Sequence, residues 1–176
     1  LAVAHWARAL YPHARHIWVA CGPGNNGGDG LVAACHLTQW AQASGAEVSV
    51  SWQGDAARLP ADAAWALAMA RHAGLNWVDA PPERCDIAID ALFGLGGRTG
   101  QADGPLAHWL TALRHAPCPV LCVDLPSGLD PDTGDIAMPT PLCGPRHTLS
   151  LLTLKPGLFT AQGRDTAGEV WLDDLG

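Results

Sequence analysis

The sequence predicts an open, doubly wound α/β sheet, and three observations carry that expectation. Short apolar runs alternate with alanine- and leucine-rich stretches of helical length, the pattern of parallel strands joined by crossover helices. The run Val120–Leu125 is apolar on both of its faces apart from Asp124, as in strands covered on both sides of a parallel sheet. No internal repeat, charge block or low-complexity tract interrupts the alternation.

Taken in order, Leu1–Leu10 is alanine-rich and helical in character but has no cap, so it reads as a helix cut part-way along, with more chain expected upstream. Ile17–Cys21 reads as the first strand, ending in glycines. Gly30–Ala43 contains no Gly or Pro after its first residue and reads as a helix that stops near Ser44-Gly45. Glu47–Trp52 is a second strand, and Ala57–His72 a second helix stopped by Gly74. A brief strand at Asn76–Asp79 and a longer one at Cys85–Phe93 follow. Pro105–His115 is a helix with Pro in its first turn. Val120–Leu125, Thr148–Leu154 and Glu169–Leu172 complete the strands, and Pro139–Pro145 is a loose loop.

A chain of 176 residues, 48% hydrophobic and only 15% charged, suits one domain spanning 1–176 with a sizeable core. A net charge of -7 argues against general nucleic-acid affinity, which needs clustered cations. It leaves room for a small anion, since backbone N–H groups bind phosphate unaided. The six cysteines, at 21, 35, 85, 118, 122 and 143, form no C-x-x-C pair and read as reduced, mostly buried thiols of a cytoplasmic protein. Neither a signal peptide nor an apolar run of about 18 residues is seen, so membrane spanning is not expected. The eight His are scattered without zinc spacing, and the eight Trp read as packing residues.

In such sheets ligands sit at the carboxyl ends of strands near a topological switch point. Three strand ends carry polar residues. Cys21–Gly30 holds five glycines in ten residues, which reads as a tight turn before a helix whose N–H groups and dipole face an anion. Asn25, Asn26 and Asp29 add polar side chains there. Asp90 ends the next apolar strand and is followed by Gly94-Leu95-Gly96-Gly97-Arg98-Thr99-Gly100, with Arg98 able to meet a phosphate. Asp124 interrupts a third strand ahead of Pro126-Ser127-Gly128; a partly desolvated acid there can serve as general base or acid, or simply bond neighbouring amides. Asn26, Asp90 and Ser127 offer only oxygen ligands, which suit magnesium or an alkali cation rather than zinc. Lys155 is open to two readings, contact with a ligand phosphate or plain solvation.

The order and spacing of Asn25-Asn26-Gly27-Gly28-Asp29-Gly30, Asp90-Ala91-Leu92-Phe93-Gly94, Asp124-Leu125-Pro126-Ser127-Gly128-Leu129-Asp130 and Lys155-Pro156-Gly157-Leu158 resemble the NAD(P)HX epimerases, the YjeF N-terminal domain family. The resemblance runs from about Ile17 to the end of the chain. It implies a Rossmann-like, mainly parallel sheet with helices on both faces. It also implies interconversion of the R and S epimers of hydrated NADH or NADPH, a metabolite-repair reaction ahead of a dehydratase specific for S. A potassium ion would map onto Asn26, Asp90 and Ser127. Substrate contacts would map onto Asn25–Asp29, Gly94–Gly100 and Asp124, with Asp124 as the proton-transfer residue. The family often forms dimers, and bacterial members are commonly fused to a kinase-like dehydratase domain. This chain departs from the pattern at Leu95, where Thr is common, and at Pro145-Arg146-His147-Thr148, where Ala-Asp-x-Thr is usual.

Two other classes compete. One is a non-catalytic nucleotide-binding or protein-interaction module of the same fold, disfavoured by the retained motif residues. The other is a nicotinamide-dependent dehydrogenase, suggested by Gly22, Gly24 and Gly27. It lacks the expected acid at the end of the second strand, which closes in Ser51-Trp52-Gln53.

Overall fold

A computed structural model of the chain describes residues 1–95, 103–136 and 142–176. Among the described residues seven strands form one sheet: β1 (His16–Cys21), β2 (Glu47–Trp52), β3 (Asn76–Trp77), β4 (Ile87–Ala91), β5 (Val120–Val123), β6 (Arg146–Leu151) and β7 (Glu169–Asp173). Their order is β3-β2-β1-β4-β5-β6-β7, and every neighbouring pair is parallel. The chain moves outward from β1 to β3, then returns to place β4 on the other side of β1. That reversal is the switch point at which the sequence placed the ligand.

Strand alternation sorts the core into two layers. Ile17, Val19, Val50, Ile89, Leu121 and Val123 face one side, under α1 (Ala2–Leu10), α2 (Asn25–Ser44) and α3 (Ala61–His72). Trp18, Ala20, Ala88, Val120 and Cys122 face the other, under Trp109, Leu110 and Leu113 of α4 (Gly104–His115). The two buried indoles keep their N–H groups satisfied, Trp18 on Ser51 Oγ at 3.0 Å and Trp109 on the Asp79 carbonyl at 3.1 Å. A small third cluster of Leu125, Leu129, Leu158 and Ala167 ties the loops after β5 and β6 to the short α5 (Gly163–Thr166). All six cysteines are free; four are buried, Cys85 is half-buried and Cys143 is exposed.

The largest departure from the sequence reading is at the glycine segment. α2 begins at Asn25, five residues before the expected Gly30, so the motif is the helix's first turn and a half rather than a turn preceding it. None of Gly22, Gly24, Gly27, Gly28 or Gly30 has a positive φ. These glycines answer to packing instead. A Cβ on Gly27 would land on the Gly22 carbonyl oxygen, and one on Gly30 would stand 2.5 Å from Ala91 Cβ and 2.9 Å from Cys21 Sγ.

Elsewhere the segment Ala57–His72 is split. A 3-10 turn, Ala56–Arg58, is capped by Asp55 through the Ala57 N–H at 3.0 Å. Pro60, which cannot donate to a helix, then caps α3. Two strands end earlier than expected because the next residue turns left-handed: Asp124 (φ 68) closes β5, and Leu152 (φ 66) closes β6.

A contrast of two glycines tests the packing account. Gly27→Ala should cost about 3 kcal/mol, since backbone carbonyls cannot move aside, lowering the melting temperature by roughly 6–12 °C. Gly24 has an extended φ of -108 and no atom within 4 Å of a built Cβ. Gly24→Ala should therefore melt with the parent in the same calorimetric scan.

Candidate functional site

The N-terminus of α2 opens onto a crevice of about 620 Å³ at the carboxyl ends of β1, β4, β5 and β6. That volume is within the range that holds a nucleotide-sized ligand. Gly24 occupies the N-cap in an extended conformation without any side-chain cap. The first helical bond is Gly28 N–H to Gly24 O at 3.1 Å, so the N–H groups ahead of it have no intrahelical acceptor. They present unpaired donors and the positive end of the helix dipole to the crevice.

Asn25, Asn26 and Asp29 line this edge, as the sequence predicted. Asn26 is the unusual one. It is buried, its side chain lies close enough to Gly94 that a Cβ there would be 3.2 Å away, and neither Oδ1 nor Nδ2 has a hydrogen-bond partner among the described residues. A buried primary amide with both ends unpaired calls for a ligand, an ion or water. Asp29 is exposed at the mouth. Partial desolvation pushes its carboxyl above the usual range; the charges of Asp124 and Asp62 push the same way, and the N-terminal amine opposes them.

Asp90 and Ser127 meet in the wall behind the crevice. Asp90 is buried and accepts three hydrogen bonds, from Ser127 N–H at 2.9 Å, Ser127 Oγ–H at 2.5 Å and Leu92 N–H at 3.2 Å. Ser127 Oγ in turn accepts the Phe93 N–H at 3.0 Å. One acid thus ties the loop after β4 to the loop after β5. Burial pushes its carboxyl upward, and the Ser127 and Leu92 donors, followed by the positive field of Arg146, hold it back. Asn26 packs against Gly94, in the same loop whose Leu92 and Phe93 N–H groups bond Asp90 and Ser127. The structure therefore joins two of the three expected cation ligands directly, and the third packs against the loop that bonds both.

Asp124 reaches the crevice because the chain turns left-handed at that residue, a strained conformation for any side chain with a Cβ. Its N–H bonds Leu149 O at 2.8 Å, and its Oδ1 accepts the Leu151 N–H at 3.1 Å. Lys155 forms an ion pair with the same oxygen. Of the two readings of Lys155 from the sequence, plain solvation is overturned, and the residue lines the crevice. The side chain is only 7% exposed, and Nζ also donates to Ser150 Oγ at 3.1 Å and Leu151 O at 2.8 Å. Its donors are spent within the wall of the site.

Gly94 and Leu95 form the near lip, with Leu95 61% exposed. Gly96, Gly97, Arg98, Thr99 and Gly100 lie outside the described residues. Arg146, at the departure from the family pattern, turns away from the crevice. Its guanidinium donates to Leu113 O at 2.7 Å and Arg114 O at 3.0 Å, closing the carboxyl end of α4. Sequence reasoning missed the apolar side of the crevice, Leu151, Leu152 and Leu175. No local signal marks them, since only the end of β6 and the chain's last turn bring them there. Among the described residues no three His, Cys, Asp or Glu side chains are grouped to hold a metal. An oxygen set built on Asn26, Asp90 and Ser127 needs no such group.

These features define a Rossmann-like α/β domain with a crevice at its switch point, edged by the open N-terminus of α2. The sequence profile described as "YjeF-related protein N-terminus" matches residues 1–157, and the chain belongs to that family. It is 38% identical over 180 residues to the bifunctional NAD(P)H-hydrate repair enzyme Nnr of Escherichia coli K12, covering 96% of this chain and 32% of that protein. The Nnr enzyme of Vibrio cholerae is 39% identical over 97% of this chain and 34% of its own. The NAD(P)H-hydrate epimerase of Rhodobacter capsulatus is 43% identical over 67% of this chain and 54% of its own. The chain spans about a third of the length of the bifunctional relatives.

The raised carboxyl of Asp90 has a signed consequence. A folded-state value above the unfolded one contributes stability that is fully present at low pH and is lost as the pH climbs through the raised value. Asp90→Asn removes that titration. In denaturant melts from about pH 4 to 7, the stability difference between variant and parent should move steadily in the variant's favour. A constant difference would show that Asp90 is not titrating in the fold.

Proposed function

We propose that this domain interconverts the R and S epimers of hydrated NADH or NADPH, as an NAD(P)H-hydrate epimerase. The observation that carries the reading is that Asp124 and the open N-terminus of α2 line one crevice. The relatives named for NAD(P)H-hydrate repair support it.

In this reading the N–H groups of Asn25–Gly27 take the diphosphate, which fixes the hydrated ring over the strand ends and makes proximity a large part of the catalysis. Inverting the hydrated carbon requires its hydroxyl to be lost and regained, or the ring to open and reclose. Each route moves a proton at that oxygen, and Asp124 accepts and returns it. Leu151, Leu152 and Leu175 present an apolar wall that excludes water from the ring. Retention of Asn25, Asn26, Asp90, Asp124 and Ser127 favours this over a non-catalytic module.

The donor set also suits a potassium ion held by Asn26 Oδ1, Asp90 and Ser127, the orphaned Asn26 amide being the feature that asks for it. When bound, it would stiffen the two loops or offset ligand charge. The reading includes a cytoplasmic homodimer, working with a dehydratase on the same chain or a separate one. No helix among the described residues is long and apolar enough to cross a membrane.

Chromatographic separation of the two epimers gives the test. The parent should accelerate their interconversion above the spontaneous rate, and Asp124→Asn should lose at least about 100-fold of that acceleration. Equal rates for the two proteins would end the proposal. For the cation, potassium chloride should raise the melting temperature more than choline chloride at equal ionic strength, and Asn26→Leu should abolish the difference.

A further inference from the structure

The chain contains nine arginines and one lysine. Lys155 is thus the single position at which this sequence uses an ammonium, and the site shows what an ammonium does there that a guanidinium cannot. Three acceptors converge on Nζ: Asp124 Oδ1, Ser150 Oγ at 3.1 Å and Leu151 O at 2.8 Å. A compact cation with three tetrahedral donors satisfies all three, whereas a planar five-donor fork does not match that arrangement. The seat is fixed from both sides. Ser150 Oγ donates to Thr153 O at 2.8 Å, which orients its lone pair toward Nζ. Two residues beyond Lys155, Gly157 donates to Pro131 O at 2.6 Å, and a Cβ there would strike the Asp130 carbonyl. The loop that carries Lys155 is therefore locked to the loop that follows Asp124.

The consequence falls on Asp124. Its Oδ1 is held twice, by Lys155 and by the Leu151 N–H, whereas Oδ2 makes no hydrogen bond among the described residues. Both side chains line the crevice, and among the described residues Asp29 is the other charged group there. We propose that Lys155 is a positioning residue for proton transfer: it clamps Oδ1, so that Oδ2 alone is presented to the hydroxyl of the bound ring. Lys155 takes no part in the proton transfer itself. The proposal rests on the epimerase reading for its kinetic consequence but not for the clamp itself.

Three variants and one spectroscopic measurement test it. Lys155→Met should lower kcat about 100-fold, with KM within about threefold of the parent, at a temperature where circular dichroism shows it folded. Lys155→Arg should not restore the rate. Lys155→Ala should regain at least about tenfold in rate with added propylammonium, saturably, because the amine refills the vacated seat; a merely structural lysine gives no such rescue. The side-chain carboxyl resonance of Asp124, assigned by its loss in Asp124→Asn, should shift between the parent and Lys155→Met without any ligand. An unshifted resonance, a folded Lys155→Met with kcat within about threefold of the parent, or a folded Lys155→Ala that the amine does not rescue, overturns the proposal. A parent that fails to speed interconversion overturns the epimerase reading instead, and the resonance then decides the clamp.

Discussion

The whole site depends on how closely the N-terminus of α2 lies against the ends of β1 and β4. At Gly22, Gly27 and Gly30 a side chain would collide with a backbone oxygen, a β-carbon or a thiol. With those β-carbons gone, the helix starts at Asn25, almost on the sheet, and its unpaired amides open into the switch-point crevice. A start at Gly30 would have carried the positive end of the helix and both asparagines away from the strand ends. Packing, rather than turn flexibility, is what the glycines supply.

Around that edge the chain places three acids in three environments. Asp29 stands at the mouth, where partial desolvation and two neighbouring acids raise it. Asp90 is sunk in the wall and works as a joint between two loops, its burial partly offset by three donors. Asp124 is paired with a buried lysine and turned into the crevice by a left-handed backbone. Breaking a buried pair of that kind by removing one partner typically costs roughly 3–5 kcal/mol, so residue and conformation are held together. Their identical chemistry is divided into separate roles by surroundings alone.

Arg146 illustrates the same division on the opposite face. In β6 it follows the alternation that sends Thr148 and Ser150 toward α4, and it spends its guanidinium on carbonyls at that helix's end. Its charge also bears on Asp90, which lines the same small cavity on that face of the sheet. A residue outside the crevice thus bears on the charge of an acid in its wall.

The sequence by itself determined the class of fold, the order of its strands and helices, and the strand ends where polar residues would gather. Those follow from hydrophobic periodicity and from glycine and proline placement, which are local. It also marked Asn26, Asp90, Asp124 and Ser127 by residue type and spacing. Only the tertiary structure decided where α2 begins, because that depends on atoms of Gly22 and Ala91 that approach from other elements. It decided, too, that Asp90 grips Ser127 across 37 positions and that Lys155 is paired with Asp124 rather than solvated. Pairings of that kind arise when two strand ends are laid side by side, and no local stretch of chain encodes them.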